Sequence, residues 1–436
     1  MSVGELSNRQ VYSVGTSSCV LLFLLMAFPM VLQLLYVKAF LFVVVLIAVA
    51  LGYLSGHSRL NNRVGLWTLT LAMVSFFFVM EGFLAMTPGA SKAAFVYVVW
   101  PLIYVFWIAG LAQQRLLLAV HHTAVVATLF IAIYGCLYLL TQLNILPETR
   151  LVSSLSLGWE SEAFGSHEGY TQMQFAGLNS LPFLVPYVMA SIATQVPSAG
   201  RRLFRQICIW TACILGWIVV LAGGRRALFL VMFLTPLLVL FFRSFQPKTE
   251  KRLNRRSLIT LSGLFVIGVV VVFAGLSSIY QFDLSNVWDR FVTGFDLSSQ
   301  TIDEGAIARH EQLLALLRGW LEDPLLGAGH GASAYGSIRS DTMPWAYELS
   351  YLAILFQTGL VGFAAYTVGV VWIFYRGIKI IGEGGQLGRM MIPMLVGCAA
   401  FLIANATNPY LTRFDGLWTL FLPLAIINYR LSTLQV

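Results

Sequence analysis

Long apolar runs recur along this chain with almost no charge inside them, and that feature restricts the fold more than any other. They lie at residues 18–37, 39–54, 66–84, 94–112, 120–140, 181–194, 207–221, 227–242, 258–279, 351–375, 390–404 and 416–427. A helix needs roughly 20 apolar residues to cross the hydrocarbon of a bilayer, where every backbone N–H and C=O must be paired without water. Only 11% of the residues are charged, against about 25% in an average soluble domain, which is too few to coat a water-soluble surface. The sequence therefore predicts an all-α polytopic membrane protein with about 12 transmembrane helices, a single membrane domain over 1–436. The first run is too long for a signal-peptide core and is followed by no small-residue cleavage pattern, so it is expected to stay as an uncleaved span.

An even number of crossings puts both ends on one side. The chain carries 27 Lys and Arg against 19 Asp and Glu, an excess that would suggest nucleic acid in a soluble protein. Its distribution explains it differently. With the amino terminus in the cytoplasm, Arg9, Arg59, Arg63, Arg115, Arg201, Arg202, Arg205, Arg243, Arg376, Lys379, Arg389 and Arg430 fall inside, together with the cluster Lys248, Lys251, Arg252, Arg255 and Arg256. Loops on the cytoplasmic side hold such an excess. Of the acids, only Glu5, Glu250 and Glu383 share that side. The expected setting is a cytoplasmic membrane, with no nucleic-acid partner. Cys19, Cys136, Cys208, Cys213 and Cys398 all fall in apolar runs without metal-ligand spacing; they read as buried apolar residues, so neither a disulfide nor a metal is expected.

Two connections are long, 144–180 and 280–347, and both fall on the outer face, where function is to be sought. The first is acidic and weakly patterned, with Glu148, Glu160, Glu162 and Glu168. In the second, Ile307, Leu313, Leu314, Leu317, Trp320 and Leu321 recur at helical spacing with Arg309, Glu311 and Arg318 between them, which predicts an amphipathic helix. It should end at Asp323-Pro324, because proline disfavours helix in the residue before it. Leu325-Leu326-Gly327-Ala328-Gly329-His330-Gly331 follows, and three alternating glycines mark a backbone that turns tightly or approaches something closely.

Ionisable residues at the outer ends of the runs stand out. Arg225 and Arg226 sit between two apolar runs on the side where few cations belong. A partly buried arginine pair is expensive unless it meets an anion, and the guanidinium fork matches phosphate oxygens; interfacial snorkelling or a loop carboxylate is the plainer reading. Arg309 is either a second such cation or a solvated charge on a polar face. Glu348 opens the tenth run and is either a helix cap or a general base facing the arginines. His121, His122, His310, His330 and Glu81 carry weaker signals and support no metal.

Together, Gly224-Arg225-Arg226-Ala227, Arg309 ahead of Pro324-Leu325-Leu326-Gly327-Ala328-Gly329, and the pattern Tyr351-Leu352, Leu355, Gly359-Leu360 and Gly362 resemble the bacterial O-antigen ligase and O-antigen polymerase family in order and approximate spacing, over roughly residues 144–363. The resemblance implies a GT-C-like fold with a large helical periplasmic loop, 280–347, as the catalytic region. It also implies glycosyl transfer from undecaprenyl diphosphate at the periplasmic face of the bacterial inner membrane, without metal, nucleotide sugar or other cofactor. On it, Arg225, Arg309 and Glu348 are the expected catalytic residues. Arg226, Gly327, Gly329, Tyr351 and Asn179 are the expected substrate-binding ones, Gly177 and Asn179 matching the family only loosely. Partners would be a lipid-linked glycan donor and acceptor, membrane lipid and a chain-length regulator. The ligases carry His-Asn where this chain has Glu348-Leu349, so polymerisation of lipid-linked repeat units is favoured. Transfer to lipid A core is the alternative within the family, and a transporter or flippase of lipid-linked glycan is the alternative outside it.

The charge distribution predicts that a reporter fused after Lys251 reads cytoplasmic and one inside 280–347 reads periplasmic. A periplasmic signal after Lys251 reverses the orientation and moves every candidate residue to the wrong face.

Overall fold

The computed structural model describes residues 17–27, 32–54, 56, 58–142, 144–147, 163–167, 170–175, 177–194, 202–251, 263, 304–336 and 343–434. Its main helices are α1 (Ser17–Ala27), α2 (Leu32–Leu54), α3 (Asn62–Leu84), α4 (Ala90–Gly110, with a π-helical turn at Phe95–Val99), α5 (Gln114–Gln142), α6 (Leu181–Thr194), α7 (Arg202–Ala222), α8 (Arg226–Arg243), α9 (Glu304–Glu322), α10 (Ser350–Glu383), α11 (Gly385–Asn405) and α12 (Trp418–Thr433). Among the described residues, eight of these, α2, α3, α4, α5, α7, α8, α10 and α11, are long and apolar enough to cross a membrane. The chain is a helical, multi-pass membrane protein. Phe40, Phe76, Leu237 and Val371 face outward from these helices, the surface expected of a bundle solvated by lipid.

The expected runs match helices, with two qualifications. The run at 258–279 lies outside the described residues apart from Gly263. The first two runs divide earlier than expected, since α2 already includes Leu32 to Val37. The amphipathic helix expected in 280–347 is α9, and it ends at Glu322, just before Asp323-Pro324. The loop 144–180 holds more order than its composition suggested: β1 (Ala163–His167) and β2 (Tyr170–Gln174) pair antiparallel, His167 opposite Tyr170. Alternation of side chains over five residues is too short a signal to separate from loop by pattern.

Lipid tails are as apolar as leucine, so close packing and hydrogen bonds hold such helices together rather than water exclusion. Small residues let backbones meet: Gly397 lies against the Phe183 carbonyl, Gly216 against Val185 and Gly369 against Leu71. Hydrogen bonds cross between helices as well. Trp67 Nε1 donates to the Gly369 carbonyl at 3.0 Å, and Asn428 bonds the Asn61 amide and the Arg59 carbonyl at 2.8 and 2.9 Å. α6 is the innermost element, with all 14 residues buried among α5, α7, α8 and α11.

Chain direction gives the bundle two distinct ends. The turn 85–89, the hairpin, the Gly223-Gly224 turn, the segments 323–336 and 343–349 and the connection 406–417 share one end, tied by Met173 N to Gly223 O and Gly89 N to Gly331 O. The opposite end gathers Arg59, Arg205, Arg243, Lys248 and Arg430, with Arg430 bonded to Glu383 at 2.6 Å and the Gly385 amide to Glu250 at 2.9 Å.

At the loop end α10 is broken. Gly359 adopts φ 58, ψ −167 inside it, so helical bonding lapses there. The segment after α9 replaces what is lost: Leu360 N donates to Pro324 O, Val361 N to Leu325 O, and Ala328 N to Phe356 O, at 2.9, 3.2 and 3.0 Å. The three glycines then thread between helices with φ of +75, +82 and +84, Gly327 against Gly359, Gly329 against Gly82 and Gly331 against Gly89. Gly359→Ala should therefore lower stability by about 2 kcal/mol or more, adding a clash with the Leu325 carbonyl to the strain of a left-handed alanine. Gly336→Ala, at φ +89 with open space around it, should lose only about 1 kcal/mol; equal shifts in thermal unfolding in detergent would mean that the break is not a packed joint.

Candidate functional site

Gly224, at φ +63, turns the chain between α7 and α8 and leaves Arg225 in extended conformation as the residue that opens α8. The guanidinium NH1 donates to Asn179 Oδ1 at 3.1 Å. Its Nε is buried without a hydrogen-bond partner among the described residues. Asn179 is itself placed by Gly177, whose φ of 92 starts the 3-10 turn Leu178–Ser180 that leads into α6. Sequence reading set Arg225 and Asn179 in separate segments, and the structure brings them together. Arg226 is half-buried beside them.

The second pair lies on the α9 and α10 side. Arg309 Nε meets Glu348 Oε2 at 2.7 Å, with side chains 24% and 19% exposed. Gln312, one turn along α9 and so on the same face, accepts from the Glu348 amide at 2.9 Å. Glu348 is thus gripped by side chain and backbone from one helix. The residue that caps α10 is Leu349, with no side-chain cap bond, so Glu348 is an ion-pair partner here and Arg309 is not a free charge on a polar face.

The connection 406–417 runs beside Asn179. Arg413 and Asp415 pair at 3.5 Å, and a void of about 10 Å³ is lined by Asn179, Ser180, Tyr410, Arg413 and Asp415. Neither charge was singled out from sequence, although opposite charges flanking Phe414 at the outer end of the last apolar run were the available signal. Tyr351 Oη donates to the Leu402 carbonyl at 2.6 Å, tying α10 to α11. Gly327 and Gly329 are accounted for by the approach of the protein's own backbone at the α10 break and at α3.

His330 carries more than its spacing suggested. Its ring stacks on Tyr97 with centroids 4.7 Å apart and is fully buried. Gln357 Nε2 donates to the Ala332 carbonyl at 3.1 Å, which turns Gln357 Oε1 toward His330 Nδ1 at 3.4 Å. The proton therefore belongs on Nδ1, and Nε2 accepts from Tyr366 Oη at 2.9 Å. Burial holds the imidazole neutral, pushed down to about 4. His121, by contrast, bonds Tyr187 Oη at 2.6 Å inside the bundle. Among the described residues no group of three or more His, Cys, Asp or Glu is arranged to hold a metal ion.

Two arginines on separate helices, a carboxylate and a half-buried amide are thus held at one end of a membrane bundle. The arrangement can bind an anion through guanidinium forks and offer a carboxylate to a proton. No protein-family model matches the chain, and no curated protein matches it either.

Because the folded pKa of His330 lies below its ordinary 6.5, the unfolded chain binds the extra proton first as pH falls. Stability from this group is complete above 6.5 and declines toward about 4. His330→Gln should flatten the acid branch of a stability profile in detergent while lowering its plateau. An acid branch as steep as that of the parent protein removes His330 as its source.

Proposed function

We propose that the chain is a glycosyltransferase of the polysaccharide-polymerase type at the periplasmic face of a bacterial inner membrane. It would span the membrane about twelve times and transfer a glycan from undecaprenyl diphosphate to a second lipid-linked glycan. The observation that carries this reading is the Arg309–Glu348 pair at the head of the broken helix α10, at the same end of the bundle as Arg225 and Asn179. The gathering of Lys and Arg at the opposite end supports the orientation.

In the transfer, an acceptor hydroxyl attacks the anomeric carbon of the donor, the carbon–oxygen bond to the diphosphate breaks, and the hydroxyl proton passes to Glu348. The diphosphate leaves with its charge and needs cations rather than a strong acid; Arg225, Arg226 and Arg309 supply them. A donor diphosphate competes with Glu348 for Arg309. As it draws the guanidinium away, the carboxylate is released to take the proton, so donor binding prepares the base. Asn179 orients Arg225 meanwhile.

The broken helix also favours a transporter, since discontinuous spans often form cargo sites. In α10, however, Leu360, Val361 and Phe356 bond the Pro324–Ala328 segment, so these backbone groups are already engaged and not held open for a cargo. Transfer to lipid A core instead of a lipid-linked acceptor is separated by the polysaccharide ladder of a deletion strain. One repeat unit left on the core indicates a polymerase, and bare core with accumulated lipid-linked polymer indicates a ligase.

Glu348→Gln keeps the side-chain shape, so turnover of purified lipid-linked repeat units should collapse while donor binding survives. Near-parental turnover eliminates the base. Arg225→Lys retains charge and loses the fork, and should lower turnover by about tenfold or more at normal membrane levels; full polymer synthesis by the Ala variants of both Arg225 and Arg309 removes them from the mechanism.

A further inference from the structure

Trp345 carries no signal in the sequence, and the structure gives it a seat. The turn 85–89 is bonded to the glycine segment, Gly89 N to Gly331 O at 3.0 Å and Thr87 Oγ1 to His330 O at 2.9 Å. Gly89 has a φ of −102, on the side of the map open to every residue, so its backbone does not call for glycine. Space does. A Cβ there would stand 2.5 and 2.6 Å from Cγ and Cδ2 of Trp345 and 2.9 Å from Gly331 Cα. An approach to those two atoms in the plane of the ring would meet Cε3 first, so Gly89 lies under the face of the indole. The ring is laid flat on backbone that hydrogen bonds hold in place.

The rest of the ring is not built into the core. Trp345 is partly exposed and belongs to neither apolar cluster, and its Nε1–H is neither buried nor bonded among the described residues. An indole that serves as core filling is enclosed and has its N–H paired; this one is supported on one face and accessible elsewhere. Glu348 stands three positions further along the chain, at most about 11 Å away even if the backbone were fully extended. Arg309 and Gln312 hold Glu348 from α9, as Gly89 holds the indole, so an aromatic surface and a carboxylate are each fixed within that reach of one another at the loop end.

We propose that Trp345 is the platform on which a sugar ring of the acceptor stacks, and so a specificity-determining residue for the transfer; the assignment rests on the glycosyl-transfer reading. One side of a pyranose ring presents C–H groups with a weak positive charge, and the face of an indole is electron-rich. Stacking orients the sugar without engaging its hydroxyls, which leaves one free to turn toward Glu348, and Nε1–H offers a donor to another. The ligand class is therefore a pyranose with an uninterrupted C–H side. Because Gly89 fixes the indole before the sugar arrives, less ordering is left to be done on binding.

Purified full-length protein is assayed in a detergent without a sugar headgroup, with lipid-linked polymer as saturating donor and the single lipid-linked repeat unit varied as acceptor. Trp345→Leu fills the seat over Gly89 but has no aromatic face. It should raise the acceptor KM about tenfold or more and change kcat less than about twofold, the pattern of a lost binding contact. Trp345→Phe keeps a face and should stay within about threefold of the parent protein. Equal rises in KM for both variants, or a loss confined to kcat, make Trp345 a structural or interfacial tryptophan and overturn the proposal. Binding is read separately by saturation-transfer NMR with the oligosaccharide released from the host strain's polysaccharide by mild acid. Its ring protons should show transfer with the parent protein and Trp345→Phe and none with Trp345→Leu. That binding pattern without any turnover by the parent protein overturns the glycosyl-transfer reading and keeps the platform, whereas turnover with an unchanged KM in Trp345→Leu overturns the platform and keeps the transfer.

Discussion

Inside a bilayer no water is at hand for an unpaired backbone amide or carbonyl, and the place where this protein meets that constraint most sharply is the break in α10. Interrupting a membrane helix frees groups that are costly to leave unbonded. Here the segment after α9 supplies the missing partners strand-fashion, with Pro324, Leu325 and Ala328 exchanging bonds with Leu360, Val361 and Phe356. Only glycines allow backbones to come that close, which explains the alternation of Gly327, Gly329 and Gly331 and the positive φ of Gly359. The amphipathic helix α9 is thereby fixed to the bundle by the same joint, and Arg309 and Gln312 reach Glu348 because that joint sets the register between α9 and α10.

The parts legible in the sequence were those written in composition and period. Apolar runs of span length announced the helices, the spacing from Ile307 to Leu321 announced α9, and the alternating glycines announced close backbone approach. Pairing was not legible. Nothing in local pattern links Asn179 to Arg225 or Arg309 to Glu348, because such contacts depend on how helices far apart in sequence pack. The hairpin was too short to show a period. His330 lacked ligand spacing and turned out to be held by Gln357 and Tyr366, a role that spacing cannot reveal.

The charges at the loop end are arranged as replaceable pairs rather than as supports of the fold. A partly exposed pair such as Arg309–Glu348 contributes about 1 kcal/mol or less, whereas the packing of α6 and α11 and the cross-helix hydrogen bonds involve deeply buried groups. A guanidinium that changes partner on meeting an anion therefore disturbs little of the scaffold. This separation between a rigid apolar frame and exchangeable charges lets the same end of the bundle be both stable and responsive.

The Arg225 guanidinium takes its partner from the turn that leads into α6, the helix buried along all of its described length. Its Nε is shut away from solvent, so few water molecules screen it. Attraction between unit charges in such surroundings exceeds its value in bulk water several-fold. An anion that displaces Asn179 from this guanidinium is therefore held more firmly than the same anion on an arginine at an open interface.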